Sequence, residues 1–371
     1  MTSPQSSRVI IDPTGDALIT LGSSGKVFAL WIEPQDSSSD SGDIETEDLS
    51  EDLDYEDHSD GEELPNWMSL SLPLVYQVSS AHLITASPKF GSELLSSRDD
   101  QKDSSSLHHI KCSDWDPEAF EILLNTLHTR YRRVPKQLSL EMLAKIAVMV
   151  DHYKCWEAFE LISQTWIRHI RVCHPMPQTY SCDLMLWMLV TWVFKLPKEF
   201  TRATAIVLRQ CTESKIQDMG LRIPPSIFRT LEVRRSEAIE QIIETFNCWI
   251  DEFSDTYTCR VDADLSFECS SILLGALMKQ MRNIDVLSPQ VVAPFDGFSL
   301  EKVHENIKAI QSPIWETYDG VNELYPIKHA CGFQGTIIRD VGHIVASAKG
   351  LVLSDFVDCS DNMEGLSLGC P

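Results

Sequence analysis

The sequence lacks the marks of several protein classes. It has 11 cysteines, an odd number, and none forms a Cys-x-x-Cys pair. A disulfide framework belongs to much shorter secreted chains, so free thiols in a reducing cytoplasm or nucleus are expected. No Asn-x-Ser/Thr acceptor occurs, and the opening MTSPQSSRVIID carries no apolar signal core, which predicts a chain that is not secreted. No Gly-Lys-Ser/Thr occurs, so neither Gly15, Gly22 and Gly25 nor Gly332-Phe-Gln-Gly335 forms a phosphate loop. The strongest apolar run, Leu184 to Phe194 (LMLWMLVTWVF), is flanked by Asp183 and Lys195. At about 1.5 Å per residue it covers ~16 Å, against ~30 Å for a bilayer core, so it reads as a buried helix. Positive charge is scarce: 31 Lys+Arg stand against 55 Asp+Glu, a net −24. Nucleic acid and anionic membranes need clustered positive charge, so neither is expected as a partner.

What is present is enough apolar material for real cores. The hydrophobic share is 43% of 371 residues, which excludes global disorder, and about 150 residues per domain gives two or three domains. The acidity is local. Residues 36–63 hold 14 acidic side chains and no Lys or Arg, so −14 of the −24 sits there. Burying Ile44, Leu49, Leu53 and Tyr55 returns roughly 10 kcal/mol, whereas ordering the segment costs roughly 28–56 kcal/mol. Disorder is expected for 36–63, and a fold can carry such an insertion because loop closure costs grow slowly with length.

Along the chain, Asp16 to Leu21 reads as a strand, Gly22-Ser-Ser-Gly25 as a turn, and Lys26 to Glu33 as the second strand of a hairpin. LVYQVS at 74–79 and His108 to Cys112 read as further strands. Ser79 or Ser80 opens a helix through Ala86. Ser87-Pro88 opens another through Leu95, and Asp116-Pro117 a third, by the preference for a cap followed by Pro. Phe120, Leu123, Leu124 and Leu127 share one helical face. Leu140, Leu143, Ile146, Ala147 and Val150 mark a helix after Ser139, and Cys155, Phe159, Ile162, Trp166 and Ile170 the next. Beyond Pro177 the stripes near 183–194, 199–214, 226–253, 265–282 and 299–310 predict an all-helical domain.

This order of elements resembles the BTB/POZ family in the divergent form of filamentous-fungal proteins. The residues that carry it are Asp12-Pro-Thr-Gly-Asp-Ala-Leu-Ile-Thr-Leu21, Val78-Ser-Ser-Ala-His-Leu-Ile-Thr-Ala-Ser-Pro-Lys-Phe90, Asp116 to His128 and Leu140 to Cys155. Leu186 to Phe194, Ser271 to Leu277 and Ser312-Pro-Ile-Trp315 look like the helical extension found in such proteins. The resemblance implies an α+β fold, a small sheet flanked by helices that holds protein partners. Some family members dimerise, and some bridge a cullin ubiquitin ligase to substrates. The expected organisation is a flexible 1–11, a BTB-like domain at 12–171 split by 36–63, a helical domain at 172–355 and a flexible tail at 356–371.

Few residues stand out as chemical candidates. His82, at the entry of the first helix, reads as a packed histidine. His169, Cys173, His174 and Cys182 invite a zinc reading, but His174 adjoins Cys173 and prolines interrupt the path to Cys182, so no metal is expected. No local nucleophile signature surrounds any Cys or His. Arg130-Tyr-Arg-Arg133 reads as a solvated helix end or as an acceptor for the acidic insertion; Arg234-Arg235 is a second short basic pair. Ser37 and Ser59 precede Asp40 and Glu62 by three, the pattern of acid-directed phosphorylation. The reading is therefore a non-enzymatic protein-interaction scaffold without cofactor, cytoplasmic or nuclear. Its partners would be other proteins, a second copy or a cullin, with no small-molecule substrate. A cullin adaptor is the alternative, and a thiol- or metal-dependent enzyme a third.

Overall fold

A computed structural model describes residues 8–22, 27–33, 73–100, 107–284, 286–319 and 322–357. The architecture is mixed α+β. The chain divides into two compact units, one in the ranges Met1–Phe28, Glu33–Lys136 and Met149–Gln164, the other in Ala29–Ile32, Gln137–Val148 and Thr165–Pro371.

The first unit is built on a four-stranded sheet in the order β1-β3-β2-β4. The strands are β1 (Arg8–Ile10), β2 (Ala17–Leu21), β3 (Leu74–Val78) and β4 (His108–Cys112). β2 runs antiparallel to β3 and parallel to β4, and β1 runs parallel to β3. Alternation along β2 sends Ala17, Ile19 and Leu21 to the buried face and leaves Leu18 on the other. Ile19 pairs with Tyr76 on one side and Ile110 on the other, giving one apolar row across three strands. Tyr76 meets Phe120 edge-on, 5.4 Å between ring centres, so the sheet and the helix after Asp116 share a core.

The helices start where local chemistry dictates. α1 (Ser80–Ala86) and α2 (Pro88–Asp100) follow β3. The Ser87 hydroxyl accepts the Phe90 N–H at 3.1 Å, and the Asp116 carboxylate accepts the Ala119 N–H at 3.0 Å to open α3 (Pro117–Leu127). The Ser139 hydroxyl accepts the Met142 N–H at 3.1 Å at the head of α4 (Leu140–Tyr153), and α5 (Trp156–Cys173) follows.

Two expectations for this region are corrected. Residues 27–33 form no strand. β2 already has β3 and β4 on its two edges, and the Ile32 backbone is satisfied instead by the Gln217 side chain, at 3.0 Å to its N–H and 2.7 Å from its carbonyl. The turn expected at 22–25 falls largely outside the described residues. The N-terminal stretch expected to be flexible contains β1, whose pairing covers the outer edge of β3; Ile11 is fully buried, and Gln77 O accepts the N–H groups of Ile11 and Asp12. Three residues are too few to show a period in the sequence. The 36–63 segment, with Ser37 and Ser59, lies outside the described residues.

The second unit is organised by α8 (Pro225–Asp251). Its stripe Ala238, Ile239, Ile242, Ile243 and Phe246 enters a core with residues of α9 (Ser266–Met281) and α10 (Leu300–Lys308), and of α11 (Ile337–Ser347). α6 (Cys182–Val193) buries every residue from Leu184 to Val193, and α7 (Pro197–Gln210) follows it. No helix among the described residues is long and apolar enough to cross a membrane. Arg235 is 3% exposed, and its guanidinium donates to the carbonyls of Pro294, Phe295 and Phe298 at 2.9, 3.2 and 2.6 Å. The domain expected to be all-helical carries a β-hairpin, β5 (Glu316–Asp319) and β6 (Asn322–Lys328), paired antiparallel. The cue for it is the turn-favouring pair Asp319-Gly320 in a stretch with no helical stripe.

Candidate functional site

In the first unit, the polar groups near the sheet are spent on the fold. The Asp16 carboxylate accepts both the N–H and the hydroxyl of Ser80 at 2.7 Å, capping α1 from a neighbouring loop. Burial pushes that carboxyl up, but the two Ser80 donors outweigh it and hold the group below its ordinary value. His128 is 5% exposed. Its Nε2 accepts the Ser79 N–H at 3.0 Å, so its Nδ1 is the protonated nitrogen, donating to Leu124 O at 2.8 Å. Trp115 Nε1 donates to Tyr153 Oη at 3.0 Å, and Tyr153 stacks on Phe90 with ring centres 4.0 Å apart. His82 is exposed and stacks on His128 at 5.0 Å; His128 is the packed histidine.

The Cys/His candidates weighed from sequence are not assembled. His169 Nδ1 lies 3.7 Å from Cys173 Sγ on the exposed surface, the His174 carbonyl accepts Trp187 Nε1, and Cys182 begins α6. Of the Arg130–Arg133 cluster, Arg133 Nη1 reaches Ile10 O at 3.4 Å.

A different cluster forms in the second unit. The ligand atoms of Cys259, Cys269 and His329 all lie within 4.8 Å of one another, and all three residues are buried. Cys331 Sγ stands 3.7 Å from Cys259 Sγ, and His329 Nδ1 stands 3.5 Å from Cys259 Sγ. Cys331 adjoins the trio through Cys259 and is not one of the three mutually close ligands. Three segments bring these residues together. α8 ends in a π-helical turn, Glu252–Thr256, and Cys259 follows it. Cys269 sits in the first turn of α9, whose start holds the Cys259 backbone through the Ser266 hydroxyl at 3.0 Å. His329 and Cys331 leave β6 two residues apart. The surroundings are apolar: Phe253, Phe295 and Phe333 belong to the same core.

The shell around the cluster is ordered. His329 Nε2 meets Thr317 Oγ1 at 3.0 Å, and its ring stacks on Trp315 at 3.6 Å, which fixes the imidazole plane. The Asp262 N–H donates to Cys259 Sγ at 3.5 Å. Burial, followed by its thiol neighbours, pushes the Cys269 thiol far up. Burial raises Cys331 too, but hydrogen bonds from Tyr257, from the Arg260 backbone and from the other cysteines outweigh it and bring Cys331 below its ordinary value. Sequence reasoning missed this cluster because its spacing, nine residues, then 59, then one, matches no short motif. The usable signal was the pair His329-Ala-Cys331 beside 11 thiols in a chain expected to be reduced. No protein-family model matches the chain, and no curated protein matches it.

Proposed function

We propose that the chain is a non-enzymatic protein-interaction scaffold in which residues 12–171 are a BTB-like module. The observation that carries this reading is the order β2, β3, α1, α2, β4, α3, α4, α5 over residues 17–173, the order on which the sequence resemblance rests. Of the four quoted segments, one ends with β2, one runs from the end of β3 through α1 into α2, and the last two cover α3 and α4. Two apolar side chains on the α1–α2 pair offer a contact surface. Ile84 is 43% and Leu95 59% exposed. Ile84 packs over Gly91, from which a Cβ would stand 3.8 Å away, and Leu95 lies one helical turn beyond Gly91. These two side chains are the partner contact that the reading commits to.

The test is the paired variant Ile84→Glu/Leu95→Glu in the full chain. It should keep its circular dichroism and melting temperature, because both side chains are exposed. It should also lose the self-association, or the stoichiometric partner, that the unaltered chain shows in light scattering and affinity purification. Recombinant cullin is included as a defined probe: saturable binding assigns the adaptor role, and its absence assigns a scaffold. If the unaltered chain is a monomer with no stoichiometric partner, or if the variant retains its partner, the reading fails.

A further inference from the structure

We infer that Cys259, Cys269, His329 and Cys331 form a structural zinc site that joins the loop after α8, the first turn of α9 and the end of the β5–β6 hairpin. The argument begins with donor chemistry. Three thiols and one imidazole suit a borderline-soft, tetrahedral ion, and Cys3His is among the common zinc ligand sets. Geometry points the same way. With Zn–S about 2.3 Å and Zn–N about 2.05 Å, the edges of a regular tetrahedron are roughly 3.8 Å between two sulfurs and roughly 3.6 Å between sulfur and nitrogen. The observed Cys259–Cys331 and Cys259–His329 separations are 3.7 and 3.5 Å.

The surroundings match a closed site as well. All four residues are buried, with Cys269 fully so and Cys259, Cys331 and His329 at 4–5% exposure, so the ligand set leaves no open position for a substrate. His329 is tied at Nε2 by Thr317 Oγ1, which leaves Nδ1 for the ion, the arrangement expected of a metal-bound histidine. The backbone N–H of Asp262 donates to Cys259, offsetting part of the charge that three thiolates would carry. Binding replaces three S–H protons, released to solvent, with three Zn–S bonds, and the site changes from neutral to a net −1.

A disulfide accounts for less. A Cys259–Cys331 bond at about 2.05 Å would leave Cys269 and His329 converging on nothing. It would also require an oxidant, whereas the zinc assignment needs only the reduced thiols.

The experiment is metal analysis of the full chain, purified under reducing conditions without a histidine tag or chelator. One zinc per chain is expected. Cys269→Ser should reduce this to near zero and lower the melting temperature, while Cys173→Ser, which alters an exposed thiol, keeps both at the unaltered level. Should Cys269→Ser fail to fold, the unaltered protein decides the matter. Stripped of metal by chelator and reloaded with Co2+, it should show the ligand-field bands of tetrahedral cobalt and a thiolate charge-transfer band. The assignment is overturned if the reduced chain holds less than a tenth of an equivalent of zinc and takes up no cobalt. It is equally overturned if zinc persists in Cys269→Ser, or if peptide mapping finds a disulfide among the three cysteines.

Discussion

His128 shows how much a single ring can decide. Its Nε2 accepts the Ser79 N–H, so a proton added there would face a donor it cannot satisfy. Burial lowers its pKa from the ordinary 6.5. The Leu124 carbonyl raises it, the stacked His82 lowers it, and Asp12 and Arg130 act in opposite directions; the net shift is downward. The unfolded chain therefore binds the proton more readily than the folded one. The stability that the neutral ring contributes is complete above about pH 6.5 and is lost as pH falls through the folded pKa. Denaturant titrations of the unaltered chain and of His128→Gln should diverge in slope below pH 6.5, with the variant less sensitive to acid. Parallel pH profiles would count against this. None of it was legible in the sequence. His82 drew attention there because it lies in the quoted segment, whereas His128 becomes significant only when the turn before α1 is brought against the end of α3.

Among the elements, those that begin with a local cap were readable and those that depend on a distant partner were not. The Asp116 carboxylate holds the Ala119 N–H three residues away, an interaction written in four consecutive residues, and α3 starts where the sequence predicts. Asp116→Ala should remove about 1 kcal/mol and lower the first unit's melting temperature by roughly 2–4 °C; an unchanged melt would show that Pro117 alone sets the helix start. β2 behaves differently. Its strand character was visible, but its neighbours are β3, more than 50 residues on, and β4. Proximity in sequence favours VFALWI as the partner, but both edges of β2 are already taken by β3 and β4. The β5–β6 hairpin was overlooked in a region dominated by helical stripes, although Asp319-Gly320 was there to be read.

At the scale of the molecule, the first unit is assembled from pieces on both sides of the acidic stretch. Leu21, the last residue of β2, pairs with Leu74, the first of β3, so the chain departs and returns at one rung of the ladder. From composition the 36–63 stretch is expected to be open to attack. A glutamate-specific protease should cut first within it, and the two fragments should migrate together on a sizing column until denatured, held by the β1–β3, β2–β3 and β2–β4 pairings. First cuts in α8 or α9, or separation of the fragments without denaturant, would contradict this. The Cys/His cluster was illegible at every scale below this one, because its members span 72 positions and meet only in the finished core.

That span has a bearing on how the protein is made. During synthesis α8 and Cys259 emerge first, with Cys269 soon after. His329 and Cys331 follow some 60 residues later, at the pace of the ribosome. Until they arrive, two thiols and the aromatic faces of Phe253 and Phe295 await their counterparts on the nascent chain. The second unit is thus a structure whose cysteines wait some 60 residues for their counterparts, and a chaperone holding that stretch would guard thiols as much as apolar surface.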